Sequence, residues 1–234
     1  MSAFVSRGFQ RRHRPPDELA GRLPPGQYLE PGFPVLTAGP TPRVDTDVWG
    51  FRIDGMVGHE RELTWTEFQE LPLEAVPCDI HCVTKWSKLG TSFAGVSVDV
   101  LLEGVDPQGD FAMAYSYGGY TTNLALADLT GGKAWVVTEH EGEPLPREHG
   151  GPARLLVPHL YFWKSAKWVA GLRILDHDEP PARRRDRRQG VGRVRLRRRA
   201  ARTGARRPRA AAGAAPLLLE ERKVGARPRP ARRG

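Results

Sequence analysis

A cysteine that could bind a metal or act as a nucleophile lies where an apolar stretch gives way to a cationic one. Cys82 stands near the end of the apolar stretch 76–83, and Lys85 and Lys88 follow it. These lysines would stabilise a thiolate, the form that a nucleophile or a soft-metal ligand requires. The spacing by itself favours a plainer interpretation, in which Cys82 is a small apolar side chain of the core. A zinc pair with Cys78 has an allowed spacing, but no second pair follows in the sequence.

A second group of polar and cationic residues surrounds a glycine-rich loop later in the chain. His149 precedes this loop and Arg154 follows it, and arginine beside accessible backbone N–H groups binds phosphate or another oxyanion. Lys164 and Lys167 flank Ser165 and would share one side of a helical turn. A solvated face is the alternative for these lysines, but an idle charge is costly among the neighbouring tryptophans. Together with the cysteine, this group indicates a soft-metal thiolate site beside an anionic cofactor.

Short strands and helices must position these residues. The alternation of Trp49, Phe51 and Ile53 predicts a strand, and the pair Thr64 and Glu67 predicts a capping box that opens a short helix. Ser97 starts another short helix. Further strands are predicted over residues 76–82, 111–117, 120–124, 135–139, 154–157 and 172–175. Strands therefore outnumber helices, which indicates a β-rich α+β fold, and no alternation of strands with long helices supports a Rossmann or barrel fold.

The net charge of +9 divides into two very different parts. Residues 180–234 carry 20 Lys and Arg against 3 Asp and Glu, whereas residues 1–179 carry 16 against 24. The first 179 residues hold all of the aromatic residues and histidines, so they read as a folded domain. The remainder has no aromatic residue and consists mostly of Arg, Ala, Gly and Pro, which cannot bury enough apolar surface to offset chain entropy. We therefore predict an N-terminal extension over 1–24, a folded domain over 25–179 and a disordered basic tail over 180–234.

Three interpretations of the basic tail remain open at this point. Its arginines could neutralise phosphates and bind nucleic acid without sequence preference, although the aromatics and lysines typical of such tails are almost absent. The tail could instead be a solvated extension without a function. It could also have been translated from a shifted frame of a GC-rich gene, because such frames yield Arg, Ala, Gly and Pro in excess and the composition changes abruptly at Pro180.

The rest of the composition excludes several classes of protein. The sequence has no apolar run of the length that a membrane span needs, and its N-terminus lacks the apolar core of a secretory signal peptide. Two cysteines cannot form a disulfide scaffold, so a cytoplasmic location is expected. The sequence also lacks the P-loop, the nucleophile elbow, the zinc-protease motif and the dinucleotide-binding motif.

Four segments resemble the molybdopterin-binding domain of the sulfite oxidase family, above all its small bacterial members such as the methionine sulfoxide reductase catalytic subunit. They are residues 49–55, 81–87, 150–158 and 161–168, and the resemblance spans residues 25–179. It implies a sulfite-oxidase-type molybdopterin-binding fold with a molybdenum–molybdopterin cofactor. The twin-arginine export signal, the dimerisation domain and the haem domain of relatives are not found in this sequence.

The resemblance also implies roles for individual residues. Cys82 would supply the one protein thiolate to molybdenum, and Arg154 and Lys167 would act at the substrate oxyanion or the pterin phosphate. The implied cofactor-binding residues are Thr84, Trp86, Ser87, His149, Arg154, Lys164, Ser165 and Lys167. Tyr120 to Thr122 would border the substrate entrance.

The sequence thus predicts a molybdenum-cofactor-dependent oxidoreductase that performs two-electron oxygen-atom transfer on a small oxo-anion or sulfoxide. A separate electron-transfer protein is expected, because the chain contains no haem-attachment or flavin motif. Two alternatives remain: a non-catalytic nucleic-acid-binding protein that uses its basic tail, and a thiol enzyme that uses Cys82 without metal.

Overall fold

A computed structural model of the chain describes residues 21–37 and 39–180. The predictions for the basic tail fall outside the described residues, as does most of the predicted N-terminal extension. Strands dominate the described part, as the sequence predicts. They are β1 (Tyr28–Leu29), β2 (Gly50–Gly55), β3 (Arg61–Thr64), β4 (Glu74–His81), β5 (Trp86–Ser97), β6 (Phe111–Ser116), β7 (Thr121–Ala125), β8 (Trp135–His140), β9 (Glu143–Pro144), β10 (Arg154–Leu156) and β11 (Val169–Leu175).

Two short helices begin where their capping residues predict. In α1 (Trp65–Gln69), the Thr64 hydroxyl accepts from the backbone N–H of Glu67, and the Glu67 carboxylate accepts from the backbone N–H of Thr64. In α2 (Val98–Leu102), the Ser97 hydroxyl accepts from the N–H of Asp99. These bonds satisfy donors that the first helical turn leaves without a backbone partner. Within the described residues, three one-turn 3-10 helices lie at Leu126–Asp128, Arg147–His149 and Phe162–Lys164.

The strands form two sheets, of which the six-stranded one contains β5 and β10 with Trp86, Ser87 and Arg154. The six-stranded sheet has the order β1-β5-β8-β10, with β4 paired to β5 and β9 to β8. The five-stranded sheet has the order β3-β2-β11-β6-β7. Strand β5 organises the first sheet, because it pairs with three other strands, β1, β4 and β8.

Strand β5, the longest strand of the described chain, is not predicted by the sequence pattern. Gly90 and Gly95 interrupt its pattern, and its polar and apolar positions do not alternate regularly. Gly95 is required by the packing, because a Cβ at this position would lie 2.3 Å from the carbonyl oxygen of Val136 on β8. The predicted strand over 76–82 is shifted in the structure, where β4 ends at His81 and leaves Cys82 in the following turn.

Two clusters of buried apolar side chains hold the fold together. The larger one includes Trp49, Phe51 and Phe68, whose rings pack against each other, together with apolar side chains from both sheets. The smaller cluster includes Cys82 and Phe162 and belongs mainly to the six-stranded sheet. The cysteine is therefore part of a core, as the plainer interpretation of its spacing holds, but it lies where that core meets a group of polar side chains.

Candidate functional site

Cys82 lies in the turn that joins β4 to β5. Its N–H donates to the carbonyl of Trp86 at 2.8 Å, and its carbonyl accepts from the N–H of Lys85 at 2.9 Å. Lys85 closes the turn with a φ of 75°, which belongs to the left-handed region. The Cys82 side chain is only 6% exposed. The hairpin thus holds one thiol in a fixed place at the end of the six-stranded sheet.

Two polar side chains hydrogen-bond to Cys82, a hydroxyl at its sulfur and an amide at its carbonyl. The Thr84 hydroxyl donates to Cys82 Sγ at 3.1 Å, and the Gln27 amide donates to the Cys82 carbonyl at 3.0 Å. Lys88, which the sequence pattern predicts to stabilise the thiolate, donates to the carbonyl of Pro31 at 3.0 Å rather than to the sulfur. Pro31 lies in the chain segment before β2, 57 positions from Lys88, so sequence spacing could not indicate this contact.

Trp86 and Ser87 begin β5 immediately after the cysteine turn, and both are buried. The Ser87 hydroxyl contacts His81 Nδ1 at 2.8 Å and donates to the Gln27 side chain at 3.2 Å. Trp86 Nε1 is buried and has no hydrogen-bond partner among the described residues. A buried donor without a partner is costly, so this indole N–H is available to an external acceptor.

Arg154 is a buried cation without a carboxylate partner in the described chain. The side chain is 1% exposed at the start of β10, and it donates to the carbonyls of His149 at 2.8 Å and Ser165 at 2.7 Å. Its Nε has no partner within the described residues. Burial lowers the pKa of Arg154 to about 9. An anion would remove most of this penalty, because a buried charge needs an opposite charge.

His149 and Lys167 add to the same polar group. Burial, with the charges of Lys167 and Arg154, lowers the pKa of His149 to about 4, so this imidazole is neutral near pH 7. Burial and the charge of Arg154 lower the pKa of Lys167 to about 8. The Lys167 ammonium donates to the carbonyls of Leu36 at 2.8 Å and Glu148 at 2.6 Å. Both side chains thus lie in an electropositive, partly desolvated place.

Aromatic rings connect the cysteine hairpin with this cationic group. The Phe162 ring lies 6.3 Å from the Trp86 ring, and the Arg154 guanidinium lies 4.1 Å from the Phe162 centroid. Cys82 packs in the same buried cluster as Trp86 and Phe162. The structure therefore brings Cys82, Trp86, Ser87, His149, Arg154 and Lys167 into one region.

Residues 27–36, which we call the strap, cover this region, and sequence reasoning missed their part in it. Phe33 stacks on His149 with ring centroids 3.9 Å apart and also contacts His140 at 4.8 Å. Tyr28–Leu29 pair in parallel with the start of β5. The sequence Pro31-Gly32-Phe33-Pro34 indicates only an extended chain. No local pattern identifies the residues that the Phe33 ring contacts.

Three of the predicted residues have other contacts. Lys164 donates to the Asn123 side-chain oxygen at 3.0 Å and lies over the Trp163 ring, so it does not share a helical face with Lys167. The single turn that carries it ends at Lys164, which separates the two lysines. The Ser165 hydroxyl accepts from the N–H of Val157 at 2.9 Å, so it fixes the loop around Arg154. Tyr120 donates to the carbonyl of Trp163 at 2.6 Å.

The site has the chemistry that molybdopterin requires. A thiol supplies a soft ligand for molybdenum, and a buried guanidinium and a half-buried ammonium suit a phosphate. Trp86 Nε1, His149 Nδ1 and Arg154 Nε are buried and unpartnered within the described chain, so the site offers hydrogen-bonding atoms to a polar group. No helix among the described residues is long and apolar enough to cross a membrane.

Comparison with known proteins agrees with this chemistry. Residues 38–182 match the family described as the oxidoreductase molybdopterin binding domain. The uncharacterized oxidoreductase YuiH of Bacillus subtilis is 38% identical over 166 residues, which cover 70% of this chain and 84% of that protein. The protein-methionine-sulfoxide reductase catalytic subunit MsrP of Gluconobacter oxydans is 25% identical over 56% of this chain, and the match covers 48% of that protein.

The fold has a counterpart among solved structures. The sulfane dehydrogenase SoxCD of Paracoccus pantotrophus superposes with a TM-score of 0.54 and 21% identity, over 59% of this chain and 41% of that one. The chain spans about half the length of the MsrP proteins that it matches. The family match covers more than half of the chain and includes every candidate residue from Cys82 to Lys167. The chain therefore belongs to the sulfite-oxidase-type family of molybdopterin-dependent oxidoreductases, and its cofactor is molybdenum–molybdopterin.

Proposed function

We propose that this protein performs two-electron oxygen-atom transfer on a small oxo-anion or a sulfoxide, with Cys82 as the protein ligand of molybdenum. When bound, the cofactor supplies the redox chemistry, and the protein supplies binding, orientation and electrostatics. The two MsrP relatives are named as methionine sulfoxide reductases, which supports a sulfoxide as one substrate class. The direction of electron flow follows from the substrate, because the same centre serves oxidation and reduction.

The observation that carries the proposal is the buried Arg154 guanidinium without a carboxylate partner in the described chain. A structural arginine in a core is normally paired, because the desolvation of one ion costs several kcal/mol. Arg154 is instead held by two carbonyls and the face of the Phe162 ring. This arrangement fixes the cation and leaves its charge available, which suits a bound phosphate or a substrate oxyanion.

The other residues support a division of labour within the site. We propose Arg154 and Lys167 as the catalytic cations that touch the substrate oxyanion or the cofactor phosphate. Thr84, Trp86, Ser87 and His149 would contact the cofactor, with the neutral His149 acting as a hydrogen-bonding group rather than a charge. Lys164 and Ser165 remain predicted cofactor-binding residues.

A separate electron-transfer protein completes the proposed reaction. Oxygen-atom transfer moves two electrons at once, and a partner protein would deliver or remove them one at a time. We also propose a reducing compartment such as the cytoplasm, in support of which both Cys78 and Cys82 are free thiols.

The test of the proposal is the molybdenum content of protein produced in a host that makes the cofactor. We expect nearly one molybdenum per chain in the parent and a loss of at least tenfold in Cys82→Ser, because a hydroxyl is a poor ligand for a soft site. Cys78→Ser is the matched control. It replaces the neighbouring thiol on β4, whose pKa burial raises to about 12, and should keep the metal.

Two results would contradict the proposal. Folded parent protein without molybdenum would show that the site does not bind the cofactor in this chain, and rapid alkylation of Cys82 with turnover in that preparation would favour a metal-free thiol enzyme. Equal metal in the parent and in Cys82→Ser would remove Cys82 as the ligand while leaving the family assignment in place.

A further inference from the structure

The turn that carries Cys82 also fixes one hydroxyl against its sulfur. Two backbone hydrogen bonds close the turn on either side of Thr84, from Cys82 N–H to Trp86 and from Lys85 N–H to Cys82. Within this turn the Thr84 hydroxyl lies 3.1 Å from Cys82 Sγ. That distance is short for an oxygen-to-sulfur hydrogen bond, and the backbone bonds hold both residues in the register that produces it.

The carbonyl of Cys82 is held as firmly as its sulfur. It accepts from the backbone of Lys85 and from the Gln27 amide, whose oxygen in turn accepts from Ser87. Across the described ranges, Thr84 is the only side chain that donates a hydrogen bond to this sulfur. The nearby Lys88 is engaged by the strap, so the donor to the sulfur is a neutral hydroxyl rather than a cation.

A hydrogen bond to a metal-bound thiolate changes the electronic balance of the centre. It withdraws electron density from the sulfur, so the sulfur donates less to the metal, and the more electron-rich, reduced state is favoured. Hydrogen bonds to ligand sulfurs tune the reduction potentials of copper and iron–sulfur proteins in this way. The same argument holds for any redox-active metal that a cysteine binds.

We propose that Thr84 is a positioning residue that acts through Cys82: its hydroxyl hydrogen-bonds to the metal-bound thiolate and raises the reduction potential of the centre. The inference rests on the proposed function, since it requires Cys82 to be the ligand. It assigns to Thr84 a role besides lining the pocket, namely control of how easily the centre accepts its electrons.

The experiment compares three forms of the molybdenum-loaded protein. Thr84→Val removes the hydroxyl at nearly constant volume, and Thr84→Ser retains it. We expect Thr84→Val to lower the reduction potential of a one-electron step at the centre. A tenfold shift of the equilibrium constant toward the oxidised state would appear as a decrease of about 59 mV. Thr84→Ser should match the parent. Potentiometric titration followed by electron paramagnetic resonance gives both the potential and the spectral signature, and Thr84→Ala repeats the test should valine disturb the turn.

The outcomes separate this inference from the proposed function. Normal molybdenum with an unchanged potential and spectrum in Thr84→Val would overturn the role of Thr84 alone. Loss of metal from Thr84→Val with an unchanged unfolding temperature would also overturn the proposed role of Thr84. The hydroxyl would then be needed to hold the metal rather than to set its reduction potential. A parent without molybdenum would overturn both.

Discussion

At Lys167, burial and a neighbouring positive charge both act on the pKa of one side chain. Its ammonium is half-buried beside the guanidinium of Arg154, and backbone carbonyls of Leu36 and Glu148 accept its hydrogen bonds. Burial and the neighbouring positive charge disfavour the protonated form, which is why the pKa falls to about 8. An anion bound between these cations would favour the protonated form again, so anion binding and proton binding are coupled at this residue.

Anion affinity should therefore fall as the pH rises through 8. Above that pH the free Lys167 is neutral and must take up a proton when the anion binds, so the affinity should fall by about tenfold per pH unit. Below pH 8 the lysine is already charged and the affinity should be constant. Sulfate is a suitable probe because it does not titrate in this range, and calorimetry of the cofactor-free protein between pH 7 and 9 measures its affinity.

Two variants make this measurement specific. Lys167→Gln should bind sulfate more weakly, and its affinity should not decline near pH 8. Lys133→Gln changes an exposed lysine that donates a hydrogen bond to the carbonyl of Ala127, and this variant should behave like the parent. A decline that persists in Lys167→Gln would assign the coupled proton to another group.

The strap is the element that closes the site, and it does so with few regular hydrogen bonds. Its only strand is Tyr28–Leu29, paired with the first two residues of β5. Side chains supply the remaining attachment, through the Phe33 ring and the lysines that bond to the carbonyls of Pro31 and Leu36. A segment with little backbone pairing opens at lower free energy than a central strand, so we expect the strap to open before either sheet unfolds.

Phe33→Ala should loosen the strap without unfolding the two sheets. Phe33 is half-buried against His149, His140, Phe93 and Phe162, so its loss should destabilise the closed strap by about 2 kcal/mol. Amide hydrogen exchange should accelerate over residues 28–36 and remain unchanged in β5 and β8.

Val35→Ala is the control on the same segment, because this valine is 48% exposed. It should leave the exchange rates as in the parent. Faster exchange throughout the six-stranded sheet in Phe33→Ala would show that the strap is part of the global fold rather than a separately opening cover.

The molecule as a whole builds the site from its six-stranded sheet and completes it with loops. The Cys82 turn precedes β5. Strand β8 lies between β5 and β10 in the sheet, and Arg154 is the first residue of β10. The loop between β10 and β11 supplies Lys167, and the five-stranded sheet anchors β11 between β2 and β6.

A variant that ends at Ala182, where the family match stops, should keep the fold and the cofactor. The family match covers residues 38–182, so we expect an unchanged unfolding temperature by calorimetry and the same molybdenum per chain. The nucleic-acid alternative makes a different prediction for the full chain. Its binding to an oligonucleotide would weaken steeply with salt and vanish in the shortened variant. Loss of molybdenum on shortening would show instead that the basic segment contributes to the site.

The sequence by itself determined those features whose cause is local. The capping residues Thr64 and Ser97 fix both helix starts, because a cap is a hydrogen bond between residues two or three positions apart. Strands β6 and β8 lie within one residue of their predicted bounds, whereas β2 continues two residues past Ile53, the last residue of the predicted alternation. The segments around Cys82 and Arg154 were enough to indicate the family, because the chemistry of a thiolate and a phosphate demands particular residues in short motifs.

Only the tertiary structure decided which of these residues meet. Strand β5 has an irregular pattern, because three neighbouring strands rather than its own sequence determine it. Phe33 reaches His149, Lys88 reaches Pro31, and Lys164 turns to Asn123 instead of joining Lys167. Each of these contacts joins residues far apart in the chain, and its geometry follows from sheet register and core packing, which no window of the sequence contains.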